Sequence, residues 1–214
     1  MKKLKLFSDL PEGDIKRLAS LAKHRRYPGG AVIIERGDPT RSLYIIADGR
    51  VKIRRIWENG REVIFSILKK GDIFGEMAFL EEIPRSADVV TITPSNLIEI
   101  EKRDLEAIME ANKILMSNLI KTLVRRLVAA DNIIERLALE NVYERLTHFL
   151  SEQAEKGPSG RLVIEGGITH TQLAAIIGAS REMVSKIMKV LTDGGFISRE
   201  GKDLVINKKL PTSW

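Results

Sequence analysis

The stretch GDIFGEMAFLEEIPRSADVV, Gly71 to Val90, is apolar enough for the inside of a domain, yet it carries Glu76 beside a glycine and Arg85 after a proline. An unpaired buried charge is costly, so each must find a native partner or a ligand. A glycine-opened turn at Phe74-Gly75-Glu76 presents backbone N–H groups, and concave arrays of these bind anions. Arg85 can fork two hydrogen bonds to a phosphate, and Ser86 can add a hydroxyl. Glu76, acceptor-only when ionised, suits a ribose hydroxyl. A cyclic nucleotide carries both groups on one compact ring system. An internal Glu76–Arg85 ion pair that merely pins a loop would satisfy the same two charges.

A second set of side chains lies in ITHTQLAAIIGASREMVSKIMKVLTDGGFISREGKDLVI, Ile168 to Ile206. Thr169 with Gln172 three residues on forms a capping box that opens a helix. Gly178 ends that helix, and Ser180 caps a second one. A short Gly-containing connection between two such helices is a helix-turn-helix. Val184, Ile187, Met188 and Leu191 face inward on the second helix. Arg181, Glu182, Ser185 and Lys186 share its exposed N-terminal face, with Ser180 at its start. In this motif those positions reach base edges in the major groove. Arginine and lysine donate to guanine, and glutamate accepts from cytosine. Thr169 and Lys202 would hold phosphates. Gly194-Gly195 breaks the second helix, and FISREGKDLVI forms a wing turned at Glu200-Gly201. A packing module or protein-binding winged helix is the competing reading.

These sites need positioning elements. From about Tyr27 to Ile100, runs such as AVIIE, SLYIIA, VKIRRIW and EVIFSIL alternate with turn signals, as in a sandwich or rolled antiparallel barrel. The preceding LPEGDIKRLASLAKHRR reads as a short amphipathic helix after Pro11. From about Arg103 the pattern turns helical. Met116, Ile120, Leu123, Leu127, Ala130, Ile134 and Leu137 form an a/d seam flanked by charges such as Arg125, Arg126 and Glu135, which favours a parallel dimer over a helix packed on its own β domain.

The 214 residues are 43% hydrophobic and 30% charged, the composition of a globular chain. No apolar run approaches membrane-spanning length, and the basic N-terminus is too soon interrupted for a signal peptide, so a cytoplasmic protein with no membrane association is expected. The absence of cysteine excludes disulfides and thiolate chemistry. His24, His148 and His170 have no ligand-like spacing, so no metal site is expected, and each reads as a surface or helix-capping residue. Net charge is +6, with 18 basic and 15 acidic side chains in residues 1–101 and 10 and 9 in residues 139–214. Any nucleic-acid binding must therefore come from a local surface.

FGEMAFLEEIPRSADV resembles the phosphate-binding cassette of cyclic-nucleotide-binding domains. ITHTQLAAIIGASREMVSKIMKVL resembles the helix-turn-helix of the CRP/FNR family of bacterial transcription regulators, and the order of parts matches that family over essentially the whole chain. The resemblance implies an α+β fold: an N-terminal antiparallel β-roll over 1–102, a long dimerisation helix over 103–138, and a C-terminal winged helix-turn-helix over 139–214. It implies a homodimer that binds a two-fold operator on double-stranded DNA, contacts RNA polymerase, and answers to cyclic AMP or cyclic GMP. By position, Gly75 and Glu76 match the cassette's glycine and ribose-binding glutamate. Arg85 and Ser86 match its phosphate ligands, and Ala87 the small residue whose backbone N–H helps hold the phosphate. Arg181, Glu182 and Lys186 match base-reading positions, with lysine replacing the usual arginine, and Ser185 is a reading position in the FNR-like branch. Where the cyclic-AMP regulator has a Thr-Ser pair that contacts adenine, this chain has Ala130-Asp131. Asp131 could accept from adenine N6 or from guanine N1 and N2. A DNA-binding regulator whose β-roll is only scaffold, or senses another signal, is the main alternative. A regulatory module of an enzyme is a third reading, but no nucleophile–base set is visible and no enzyme activity is expected.

Overall fold

A computed structural model of the chain describes residues 5–7, 9–157 and 160–211. It forms two compact units, Met1–Val128 and Ala129–Trp214. The first unit contains α1 (Glu12–Leu21), β1 (Lys23–Tyr27), β2 (Val32–Ile34), β3 (Leu43–Asp48), β4 (Arg50–Ile56), β5 (Glu62–Lys69), β6 (Ile73–Phe74), α2 (Glu76–Glu81), β7 (Asp88–Thr91), β8 (Ser95–Ile100), α3 (Lys102–Ala111) and the larger part of α4 (Lys113–Leu139).

Two antiparallel four-stranded sheets, ordered β1-β8-β3-β6 and β2-β7-β4-β5, make the roll. Strand β3 is buried on both faces, which is why its sequence reads as a continuous apolar run rather than an alternation. Tyr44 and Ile46 join Ile34, Val51, Leu68, Phe74, Val89 and Leu97 in one core cluster. Leu43 and Ile45 point the other way, into a second cluster with Leu18, Ile98, Ile100, Leu105, Ile108, Leu115 and Leu119. The period of two in a strand thus places helices on one side of a sheet and the second sheet on the other.

Two elements differ from expectation. The helix read over LPEGDIKRLASLAKHRR stops at Leu21, and KHRRY is an edge strand paired with β8. Its charged side chains meet partners on and just beyond β8, Lys23 with Glu101 at 2.5 Å and Arg25 with Glu99 at 3.1 Å. The backbone ladder to β8 holds it there and the exposed charge pairs add only a little, so no apolar alternation marks it. The single helix expected over 103–138 is interrupted at Asn112, whose backbone is extended. Asn112 Oδ1 accepts from the Ile114 N–H at 3.0 Å, and its Nδ2 donates to Asp14 at 2.7 Å. The residue caps the second helix and ties the junction to α1.

On α4, Leu115 and Leu119 are buried and Leu123 packs on the same cluster, so this side of the helix covers the β-roll. Of the seam residues, Met116, Ile120, Leu127, Ile134 and Leu137 are exposed.

The second unit holds the end of α4, then α5 (Val142–Gln153), β9 (Glu155–Lys156), β10 (Leu162–Ile164), α6 (His170–Ile177), α7 (Arg181–Asp193), β11 (Ile197–Glu200) and β12 (Asp203–Ile206). Its antiparallel sheet is ordered β11-β12-β10-β9. Val184, Ile187, Met188 and Leu191 of α7 are buried with Leu146, Leu150, Leu173 and Ile177. Arg145 of α5 donates to the carbonyl of Ile177 at 2.9 Å, satisfying an end group of α6. Among the described residues, no helix is long and apolar enough to cross a membrane.

Candidate ligand and nucleic-acid sites

The cassette turn is built on Gly75, which precedes α2 with φ 86° and ψ 5°. A Cβ there would stand 2.6 Å from Arg85 Nη1 and 2.9 Å from the Ser42 carbonyl, so only glycine lets the turn close over the arginine. Arg85 is 3% exposed. It donates to the carbonyls of Gly75 at 2.9 Å and Ser42 at 2.8 Å, and to Thr40 Oγ1 at 3.4 Å. All three acceptors are neutral, and two of the five guanidinium N–H groups are left over. Burial pulls the Arg85 pKa below its ordinary value, against the fields of Tyr44, Asp38, Glu76 and Glu99. Among the described residues, no carboxylate is hydrogen-bonded to this guanidinium, so its charge is desolvated and met only by dipoles.

Glu76 is likewise buried, at 6% exposure. Its partner is not Arg85, as an internal cassette pair would require, but Arg126 of α4. Arg126 Nη1 lies 2.5 Å from Glu76 Oε1, and Nη2 donates to the Ile73 carbonyl. In sequence, Arg126 is one of the charges flanking the seam. It follows Leu115, Leu119 and Leu123 down the side of α4 that covers the roll, and this continuation of the period is the signal that could have found it.

Ser86 is exposed, its Oγ 3.6 Å from Met77 Sδ, and Ala87 is buried behind it. Arg85 and Ser86 border an open cleft of about 570 Å³ together with Arg36, Arg55 and Asp88. Arg36 and Arg55 were not anticipated, since neither lies in the cassette. Ala130 and Asp131 are exposed on α4 and belong to the second unit, whereas the cassette belongs to the first. Among the described residues, no group of three or more His, Asp or Glu side chains could hold a metal ion.

The second unit builds the helix-turn-helix as its caps predict. Thr169 accepts from Gln172 N–H at 3.1 Å, Gln172 returns a bond to Thr169 N–H at 2.9 Å, and Gly178 adopts the left-handed conformation at the end of α6. Ser180 Oγ accepts from Met183 N–H at 3.1 Å. Thr169 also donates its hydroxyl to Gln172 at 3.1 Å, so its side chain is committed to the cap, and a phosphate would have to be met by backbone N–H groups. Arg181, Glu182 and Lys186 are exposed on the first turns of α7, Ser185 is half-buried among them, and exposed Met183 lies between. The wing is docked by glycine: at Gly167, φ 71°, a Cβ would meet the Lys202 carbonyl at 2.5 Å. Gly166 N–H donates to Asp203 at 2.7 Å, leaving the Lys202 side chain exposed.

The histidines were expected as surface or capping residues. His24 is exposed on β1, and His148 Nδ1 stands 2.8 Å from Glu140. His170 neither caps a helix nor lies free, for its Nδ1 is 2.8 Å from Ser185 Oγ.

Residues 24–112 match the family model of the cyclic nucleotide-binding domain, and residues 144–209 that of the Crp-like helix-turn-helix domain. The cyclic AMP receptor protein of Thermus thermophilus is 32% identical over 197 residues, covering 92% of this chain and 89% of that protein. The chain belongs to the CRP/FNR family of transcription regulators. Another relative, the CRP-like cAMP-activated global transcriptional regulator of Mycobacterium tuberculosis, is 30% identical over 196 residues, 89% of this chain and 88% of that one. Among solved structures, the c-di-GMP responsive global regulator CLP of Xanthomonas campestris superposes with a TM-score of 0.76 at 27% identity, covering 92% of this chain and all of that one. As a CRP/FNR regulator, the chain combines a cyclic nucleotide-binding domain with a DNA-binding helix-turn-helix.

Proposed function

We propose that this regulator works in the cytoplasm as a homodimer whose DNA binding is controlled by a cyclic nucleotide, cyclic AMP first and cyclic GMP second. The observation that carries the reading is the buried Arg85 guanidinium, hydrogen-bonded among the described residues to neutral oxygens, in a residue that lines one cleft together with Ser86. A phosphate diester supplies the missing negative charge and takes the spare N–H groups. Arg85, Ser86 and the backbone N–H of Ala87 would hold the phosphate, and Gly75 keeps the turn closed on Arg85. Glu76 would accept from the ribose hydroxyl while Arg126 neutralises it, which links the ligand to α4 within the same unit. The nucleotide itself supplies only charge and hydrogen-bonding groups, and it can shift DNA binding only by its difference in affinity between two states of the protein.

The exposed apolar stripe of α4 supports the dimer. Two copies would present two α7 helices to half-sites about 34–36 Å apart on a two-fold operator. Arg181, Glu182, Ser185 and Lys186 read bases. Lys202, the Ser180 hydroxyl and the N-terminus of α6 at Thr169 meet phosphates, and RNA polymerase is the downstream partner.

A second reading keeps DNA binding without a cyclic nucleotide. It is favoured by the Glu76–Arg126 pair, which satisfies the carboxylate with no ligand at all, and the relative described as c-di-GMP responsive shows that effectors differ within the fold. Calorimetry with cyclic AMP and cyclic GMP on wild type and Arg85→Ala, with footprinting in each condition, separates the two. Binding heat that Arg85→Ala abolishes and nucleotide-dependent footprints support the first reading. Footprints without heat from either nucleotide support the second.

A further inference from the structure

His170 occupies the first helical position of α6, and Ser185 lies one turn into α7, between the base-reading candidates. Their Nδ1···Oγ separation is 2.8 Å, so a single proton lies between ring and hydroxyl, and its owner decides what Ser185 can offer outward. When the ring is neutral with its proton on Nε2, Nδ1 accepts and the serine O–H points inward. The serine oxygen then faces outward as an acceptor, suited to adenine N6–H or cytosine N4–H. When the ring is an imidazolium, Nδ1–H donates to Oγ. The serine proton must then turn outward, suited to guanine O6 or N7 or to thymine O4.

We propose that His170 is a specificity-determining positioning residue that sets, through its protonation, whether Ser185 reads a base as acceptor or as donor. The inference rests on the reading of Ser185 as a base contact. The charged groups facing the imidazole are Arg181 from α7 and Arg199 from β11, whose Nη2 donates to the Ile168 carbonyl at 3.3 Å. Burial, then these two cations, hold the His170 pKa below its ordinary value and so favour the neutral ring, whose Nε2–H tautomer gives the acceptor form. DNA phosphates arriving at the same surface offset both arginines and raise the imidazole pKa towards the physiological range. The sign follows: the donor form gains as pH falls, and it gains more in the complex than in the free protein.

The test is selection from a randomised duplex pool by the full chain, with cyclic AMP and cyclic GMP both present, at about pH 6 and about pH 8. Wild type, Ser185→Ala and His170→Ala are run in parallel; both side chains are partly exposed, so neither truncation empties a core site. The base pair whose preference weakens in Ser185→Ala is the one Ser185 reads. In wild type its preference should shift from adenine or cytosine at high pH towards guanine or thymine at low pH, by roughly fivefold to tenfold. His170→Ala should abolish that shift while leaving the base pairs read by Arg181 and Glu182 unchanged. An unaltered preference across pH in wild type overturns the inference, as does a shift that survives His170→Ala or a selected site identical in Ser185→Ala. If no sequence is enriched by wild type at either pH, the base-reading assignment of α7 falls, and the inference falls with it.

Discussion

Arg126 and Glu76, fifty residues apart in sequence, meet at 2.5 Å and join the long helix to the cassette turn. The glutamate side chain is 8% exposed and the arginine 29%, so the pair stands at the edge of the interior. Removing one partner of such a pair strands the other charge, which is worse than removing both. Arg126→Met should lower the unfolding free energy by about 2–3 kcal/mol, somewhat less than for a fully buried pair. Adding Glu76→Gln to it should recover more than half of that loss. Urea denaturation of the two single variants and the double variant measures the coupling.

Gly75 and Gly71 share a left-handed backbone, with φ 86° and 93°, but not a neighbourhood. A Cβ on Gly71 meets nothing within 4 Å, whereas one on Gly75 collides with Arg85 and the Ser42 carbonyl. Gly71→Ala should therefore cost only backbone strain, about 1–2 kcal/mol, and leave nucleotide binding intact. Gly75→Ala adds displacement of the guanidinium to the same strain. It should be the less stable variant in thermal melts and show no binding heat with cyclic AMP or cyclic GMP.

The two sides of α4 should respond oppositely to charge. Leu119 is 2% exposed within the core of the first unit, while Leu127 and Ile134 are 62% and 64% exposed. Leu119→Glu buries an unpaired carboxylate and should unfold the unit, costing on the order of 3–5 kcal/mol. Leu127→Glu and Ile134→Glu should keep the circular dichroism of wild type but sediment as monomers. Sedimentation velocity at micromolar protein checks this. Wild type sedimenting as a monomer would remove the homodimer from the proposal.

What could be read in the chain tracks how local each cause is. The caps Thr169, Gln172 and Ser180 and the left-handed Gly178 act within a few residues, so the helix-turn-helix was legible position by position. The cassette was legible as a type of site because Gly75, Glu76 and Arg85 lie within one turn, one short helix and the loop that follows it. The partner of Glu76 was not, because a contact between Gly75's turn and α4 has no local signature beyond the period of the helix that carries Arg126. Strand β1 was hidden for a related reason. Its stability comes from pairing with β8 and from Glu99 and Glu101, and KHRRY by itself has the polar character of an exposed helix end. Asn112 shows the same limit, since one residue redirects its backbone with help from Asp14, almost a hundred positions away.

The exposed faces of α7 and the wing make separable demands on DNA. Arg181 stands at the first turn of α7, which the proposal assigns to base edges, and Lys202 stands on the wing, which it assigns to the phosphate backbone. A base contact carries sequence information, whereas a phosphate contact contributes affinity and counterion release. Arg181→Ala should lower affinity for the selected operator by about 1–3 kcal/mol and relax preference at one base pair in each half-site. Lys202→Ala should weaken selected and scrambled duplexes alike and reduce the slope of log affinity against log salt by about 1 for each half-site. Fluorescence anisotropy over a salt series, with both duplexes and both variants, reads the two effects independently. If Lys202→Ala altered base preference while leaving the salt slope unchanged, the wing would be reading sequence, and its assignment to the phosphate backbone would be wrong.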